Sequence, residues 1–133
     1  MIKFLSLVFL LFISDNGIEV RDAWVRPGAE KMATALYFTV ENKSDSPDTL
    51  YEVESDVSSI IQIHETFSQG DMMGMREIKA LVVNPGSETI LEPGGTHIMV
   101  MKLKRDLKKG DTTKFILHFK RAGEIHITAE VKE

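Results

Sequence analysis

Beyond Ile18 the apolar residues of this chain recur at every second position in short runs, with no convincing stretch at the 3.6-residue spacing of an amphipathic helix. Nothing else in the sequence constrains the fold as tightly, because a strand sends alternate side chains to opposite faces. In Lys114 to Arg121 one face carries Phe115, Leu117 and Phe119; in Glu124 to Val131 it carries Ile125, Ile127, Ala129 and Val131. Ala122-Gly123 between them suits a tight hairpin. Further strands are expected at Ile18–Val25, Ala33–Glu41, Leu50–Glu54, Ile60–Phe67, Met75–Val83, Thr89–Glu92 and His97–Leu103. Turn chemistry separates them: Arg26-Pro27-Gly28, Asn84-Pro85-Gly86, Pro93-Gly94-Gly95, and a polar loop from Asn42 to Asp48 that reads as solvated. Lys104–Gly110 and Asp56–Ser59 each have room for a helical turn. Short strands at this density predict an all-β fold, a Greek-key β-sandwich or barrel.

The 133 residues suffice for one domain with a core, expected over residues 18–133. Before it, Lys3 is followed by a run from Phe4 to Ile13 in which only Ser6 is not apolar, and then by Ser14, Asp15, Asn16 and Gly17. A positive start, a short apolar run and a small polar exit describe a secretory signal peptide over residues 1–17, although no A-x-A cleavage sequence is present. Ten helical residues cover about 15 Å, half of a bilayer core, so no stable membrane span is expected after the leader is removed. The expected location is therefore periplasmic or otherwise extracytoplasmic.

The chain contains no cysteine, which excludes disulfides, thiol catalysis, Cys-ligated zinc and a blue-copper centre. A net charge of −4 leaves no basic footprint for nucleic acid. No Ser-His-Asp or paired-carboxylate pattern stands out, so no enzyme activity is expected. What does stand out is the spacing of four side chains: His64, ten residues, Met75, twenty-one residues, His97, one residue, Met99. His97 and Met99 share a strand face about 6.6–7 Å apart. His64 lies opposite Ile61 and Ile63 on its strand, beside Gln62 and Thr66. Met75 follows a segment, Ser68 to Gly74, that reads as a flexible loop able to deliver a ligand. Two imidazoles and two thioethers are neutral, soft donors; thioether selects Cu(I), and the absence of a carboxylate cluster argues against magnesium or calcium. His64, Met75, His97 and Met99 are thus the candidate ligands of one Cu(I) ion.

The same residues resemble those of a known family, the periplasmic Cu(I) chaperones, PCu(A)C, associated with assembly of the CuA centre of cytochrome c oxidase. The ligand spacing matches at every offset, as do Ala23-Trp24-Val25-Arg26-Pro27, Ile63-His64-Glu65 and the run from Pro93 to Met101. The resemblance implies a cupredoxin-like β-sandwich, an exposed Cu(I) site and a carrier role, with cytochrome c oxidase subunit II or another assembly chaperone as the receiving partner. Glu65 stands where many members have Met, and strand alternation points it away from His64. No His- and Met-rich tail follows Val131, so a second copper site is not expected. A copper buffer without a dedicated client, or a β-sandwich interaction domain that binds no metal, are the competing readings. The expected state is a monomer. Met72 and Met73 are candidate access or substitute ligands, Met101 is expected in the core, His118 and His126 are expected to be solvated, and Trp24 reads as a core or rim aromatic.

Overall fold

In the computed structural model, which describes residues 11–13 and 16–133, the expected alternation becomes eleven strands and, among the described residues, no helix. They are β1 (Phe12–Ile13), β2 (Ile18–Val25), β3 (Thr34–Asn42), β4 (Asp48–Glu54), β5 (Ile60–Gln69), β6 (Met72–Ile78), β7 (Leu81–Val83), β8 (Glu88–Ile90), β9 (His97–Met101), β10 (Thr112–Phe119) and β11 (Gly123–Val131). Hydrogen bonding runs along the order β6-β5-β9-β3-β2-β11-β10-β4-β7, with β1 added to β2 and β8 to β3. All pairings are antiparallel except β11 with β2. The architecture is a cupredoxin-like β-sandwich with one apolar core. No helix among the described residues is long and apolar enough to cross a membrane. Most of the expected leader lies outside the described residues; Phe12 and Ile13, within it, pair with Val20 and Glu19.

The core collects the alternating faces read from the sequence. Leu36, Phe38 and Val40 of β3 meet Phe115, Leu117 and Phe119 of β10 and the Ile125–Val131 row of β11 in a single buried cluster. Each fully buried Val, Leu, Ile or Phe side chain contributes roughly 1.5–3 kcal/mol relative to exposure. Strand β3 is buried on both faces and paired along both edges, by β2 on one side and by β9 and then β8 on the other.

Several local expectations are corrected. The predicted strand 75–83 breaks at Lys79-Ala80 into β6 and β7, which pair with different strands, β5 and β4. Neither expected helical turn forms: Asp56–Ser59 is a turn and bridge, and Lys104–Gly110 is irregular, tied down by buried Leu103 and Leu107. The loop after β3 is polar but not simply solvated. Asn42 is buried, donating from Nδ2 to the carbonyls of Ser46 and Val83 and accepting at Oδ1 from Ser44 N–H and Oγ–H. Asp48 is also buried; its carboxylate accepts from the backbone N–H groups of Thr49, Arg121 and Ala122. A buried charge is tolerable when such donors replace water, and here they fasten the β10–β11 turn to the loop.

Ile98 sits on the inner face between His97 and Met99 and is fully buried. We expect Ile98→Ala to lower unfolding free energy by about 2–5 kcal/mol, measured by urea denaturation. A loss near zero would mean that β9 is not held by its inner face.

Candidate functional site

Strand register builds the site. On β5 and β9, Ile63 pairs with Ile98 and His64 with His97. The isoleucines face the core, so the two imidazoles must face the other way, side by side, with ring centroids 5.8 Å apart. Met99 lies two residues along β9 on that same face, opposite Gln62. On the other side of β5, Thr66 pairs with Met75 and His64 with Glu77, which puts Met75 diagonally next to His64 on the shared face. The structure therefore brings His64, Met75, His97 and Met99 together on one surface of the β6–β5–β9 ribbon, although they span thirty-six residues of sequence.

Met75 reaches this position differently from the expectation. The segment 68–74 is not a flexible loop. The β5 and β6 strands extend until Gln69 pairs with Met72, leaving only Gly70-Asp71 as the turn. Gly70 has φ 61°, a conformation that side chains disfavour, at the first central position where a type II′ hairpin turn places glycine. Met72 and Met73 are strand residues on opposite faces.

Hydrogen bonds set the tautomer of each ring. His97 Nδ1–H donates to the Gly95 carbonyl at 3.0 Å, and Thr66 Oγ1–H donates to the same oxygen. A carbonyl only accepts, so the His97 lone pair is on Nε2. His64 Nε2–H donates to Gln62 Oε1 at 2.9 Å, which leaves the lone pair on Nδ1. That Nδ1 is buried and has no hydrogen-bond partner. Such an atom in a native site calls for an explanation, and an absent ligand is one. Burial, with the neighbouring His97 ring as a smaller cause, holds the His64 pKa below its ordinary 6.5, against an opposing pull from Glu77.

A groove of about 610 Å³ opens onto this surface, lined in part by Tyr37, Thr66, Met73, Met75, His97 and Met99. His97 is at its floor, 5% exposed, whereas Met75 is 57% exposed. His64 and Met99 are half-buried between these extremes. Tyr37 stands beside His97 with ring centroids 6.4 Å apart, and Trp24 stacks on Tyr37 at 4.7 Å, so this pair walls the floor from the β2–β3 side. Sequence reasoning missed Tyr37, Gln62 and Thr66 as supports for the histidines. For Gln62 and Thr66 the signal was present, since both share the His64 face by alternation.

Other expected residues separate from the site. Glu65 points to the back of the hairpin and pairs with Arg76 Nε at 2.7 Å. Met101 is half-buried rather than in the core and does not line the groove. His126 is exposed, but His118 is not freely solvated: its Nε2 lies 2.6 Å from Glu54 Oε1, and Glu124 flanks its other nitrogen at 3.9 Å. That trio lies on β4, β10 and β11, well along the sheet path from His64.

Comparison with known proteins identifies the family. The family described as "Putative lipoprotein LpqE-like" matches residues 18–131. The chain belongs to the LpqE-like, or PCuAC, family. The chain is similar to "Putative lipoprotein Lxx21020" of Leifsonia xyli, 31% identical over 119 residues, covering 89% of this chain and 71% of that protein. Among solved PCuAC domains, the copper-bound domain from PmoF2 superposes with a TM-score of 0.79 at 26% identity, covering 92% of this chain and 97% of that one. The solution structure of CuI-DR1885 from Deinococcus radiodurans gives 0.64 at 27% identity, covering 83% and 76%.

The depressed pKa has a direction that can be checked without any metal. His64 should titrate with a midpoint below 6.5 by NMR, and His97→Gln should restore only part of the shift, because burial is the larger cause. The unfolded chain binds this proton first as pH falls. The contribution of His64 to stability is therefore present above pH 6.5 and is lost as pH drops through the folded-state midpoint. A midpoint at or above 6.5 would contradict the half-buried placement of the ring with its Nδ1 turned inward.

Proposed function

We propose that the protein is an extracytoplasmic Cu(I) carrier that holds one ion with His64 Nδ1, His97 Nε2, Met75 Sδ and Met99 Sδ, and surrenders it to a client such as the CuA site of cytochrome c oxidase. The observation that carries this reading is the convergence of these four neutral donors on one strand face, with the lone pair of His64 Nδ1 buried and unpartnered. The likeness to the copper-bound domain from PmoF2 and to CuI-DR1885 supports copper as the cargo.

The dimensions suit the ion. With a nitrogen–metal distance of about 2.0 Å and ~1.2 Å more to each ring centre, two imidazoles on one ion have centroids about 5 Å apart at a tetrahedral angle and about 6 Å apart in a line. The observed 5.8 Å falls between these limits. Thioethers select Cu(I), and four uncharged donors leave the site at the charge of the ion alone, which favours the monovalent state over Cu(II). The depressed His64 pKa keeps that ring neutral, hence ligating, into mildly acidic surroundings.

The layout supports carriage of the ion. Buried His97 on the floor of the groove, with half-buried His64 beside it, retains the ion, while exposed Met75 gives a partner a donor to displace. Residues 1–17 as an export signal, together with a family and one relative described as "Putative lipoprotein", support a location outside the cytoplasm. The chain itself has no cysteine to carry a lipid.

Anaerobic titration should show one Cu(I) per chain, with X-ray absorption reporting two nitrogen and two sulfur neighbours. Replacing His64, Met75, His97 and Met99 together by Ala should abolish that binding while circular dichroism stays that of a β-sheet protein. Undiminished affinity in the fourfold variant would overturn the ligand assignment. Transfer from the loaded protein to an apo CuA domain, absent with an equal amount of a simple Cu(I) chelate, would separate a dedicated carrier from a buffer.

A further inference from the structure

Met72 and Met73 are adjacent at the tip of the β5–β6 hairpin, and each is 75% exposed. Neither has a packing role in the core. The ladder nevertheless places them differently. Met73 pairs with Ser68 and Met72 with Gln69, so Met73 shares the face of Met75 and His64 while Met72 looks away. Met73 lines the groove with Met75, His97 and Met99; Met72 does not.

The back of the hairpin is fastened. A Cβ on Gly74 would lie 3.0 Å from the tip of the Phe67 ring, so the glycine lets that ring lie close across the strand. Arg76 stacks over the same ring at 5.0 Å and is held by Glu65. With the hairpin clamped from behind, the Met73 and Met75 thioethers lie in a line along the groove, about 6.6–7 Å apart at the backbone. Exposure falls along that line, from Met73 at 75% through Met75 at 57% to His97 at 5%.

We propose that Met73 is a transfer ligand, a thioether at the groove mouth that receives Cu(I) from a donor and passes it to Met75, and returns it outward on release. The inference rests on the carrier reading above. An incoming ligand meets the exposed methionines before it meets buried His97, and Cu(I) moves by exchange of one ligand at a time. On loading, a Cu–Sδ bond to Met73 forms as the bond to the delivering molecule breaks. The bond to Met75 then forms as the bond to Met73 breaks. Copper remains Cu(I) throughout, and a thioether carries no proton to lose, so neither electrons nor protons move. The flexible, unbranched methionine side chain suits a ligand that must swing between two positions.

The test compares M73L with M72L in the full chain. Leucine keeps bulk and apolarity and removes the sulfur, and both positions are exposed enough that folding is unaffected. Stopped-flow removal of Cu(I) by bathocuproine disulfonate, and loading from a Cu(I) chelate, should both slow on the order of tenfold in M73L, the low end of what outer partners of metal ligands contribute. Because loading and release slow together, the equilibrium affinity from chelator competition should be unchanged. M72L should match the wild type in every respect.

Wild-type rates in M73L, with normal Cu(I) binding, would overturn this inference and leave the carrier reading intact. Equal slowing in M72L would also overturn it, since the effect would then belong to the hairpin tip at large. A lowered equilibrium affinity in M73L, with one sulfur neighbour lost by X-ray absorption, would make Met73 a resident ligand instead. Failure of the wild-type chain to bind Cu(I) would overturn the carrier reading and this inference together.

Discussion

Everything at the site depends on the register of β5 against β9. Ile63 opposite Ile98, with neighbouring Ile61 opposite Val100, locks that register by burying apolar side chains on the core side. A slip of one residue would turn the isoleucines to solvent and the histidines into the core. The hydrophobic effect, acting on residues that bind nothing, therefore sets the distance between His64 and His97. On the carrier reading proposed above, a metal would meet two rings already side by side.

Neighbouring polar groups prepare those rings. The Gly95 carbonyl and the Gln62 amide each take one imidazole proton, so each ring offers a defined lone pair. Burial keeps His64 neutral against the pull of Glu77. The methionines contribute the opposite property. Met75, 57% exposed, lies on the open side of the groove, and neither methionine brings charge. Across the four donors exposure rises from buried His97, through half-buried His64 and Met99, to Met75.

Much of this was legible in one dimension because strand alternation is a local rule. It placed Gln62 and Thr66 beside His64, turned Glu65 away, put Met99 beside His97, and assembled the Phe115–Phe119 and Ile125–Val131 rows. It failed where long-range pairing overrode local appearance. Segment 68–74 looks like a loop because it is rich in glycine and polar residues, yet pairing with β5 keeps it in a hairpin. Asn42 and Asp48 look solvated because their neighbours are polar, yet backbone groups distant in sequence satisfy them in the interior. His118 looks free because its carboxylate partners, Glu54 and Glu124, lie on other strands.

The order of residues determined the strand periodicity, the soft neutral character of the donors, their spacing and the family, since all of these are properties of neighbours and offsets along the chain. The fold alone decided that the four donors share one surface, which nitrogen of each ring is free, and that Met73 lies in the groove while Met72 lies outside it. Those facts depend on which strands pair and in what register, and pairing is chosen by burial of apolar surface summed over the whole sandwich. No short window of sequence contains that sum.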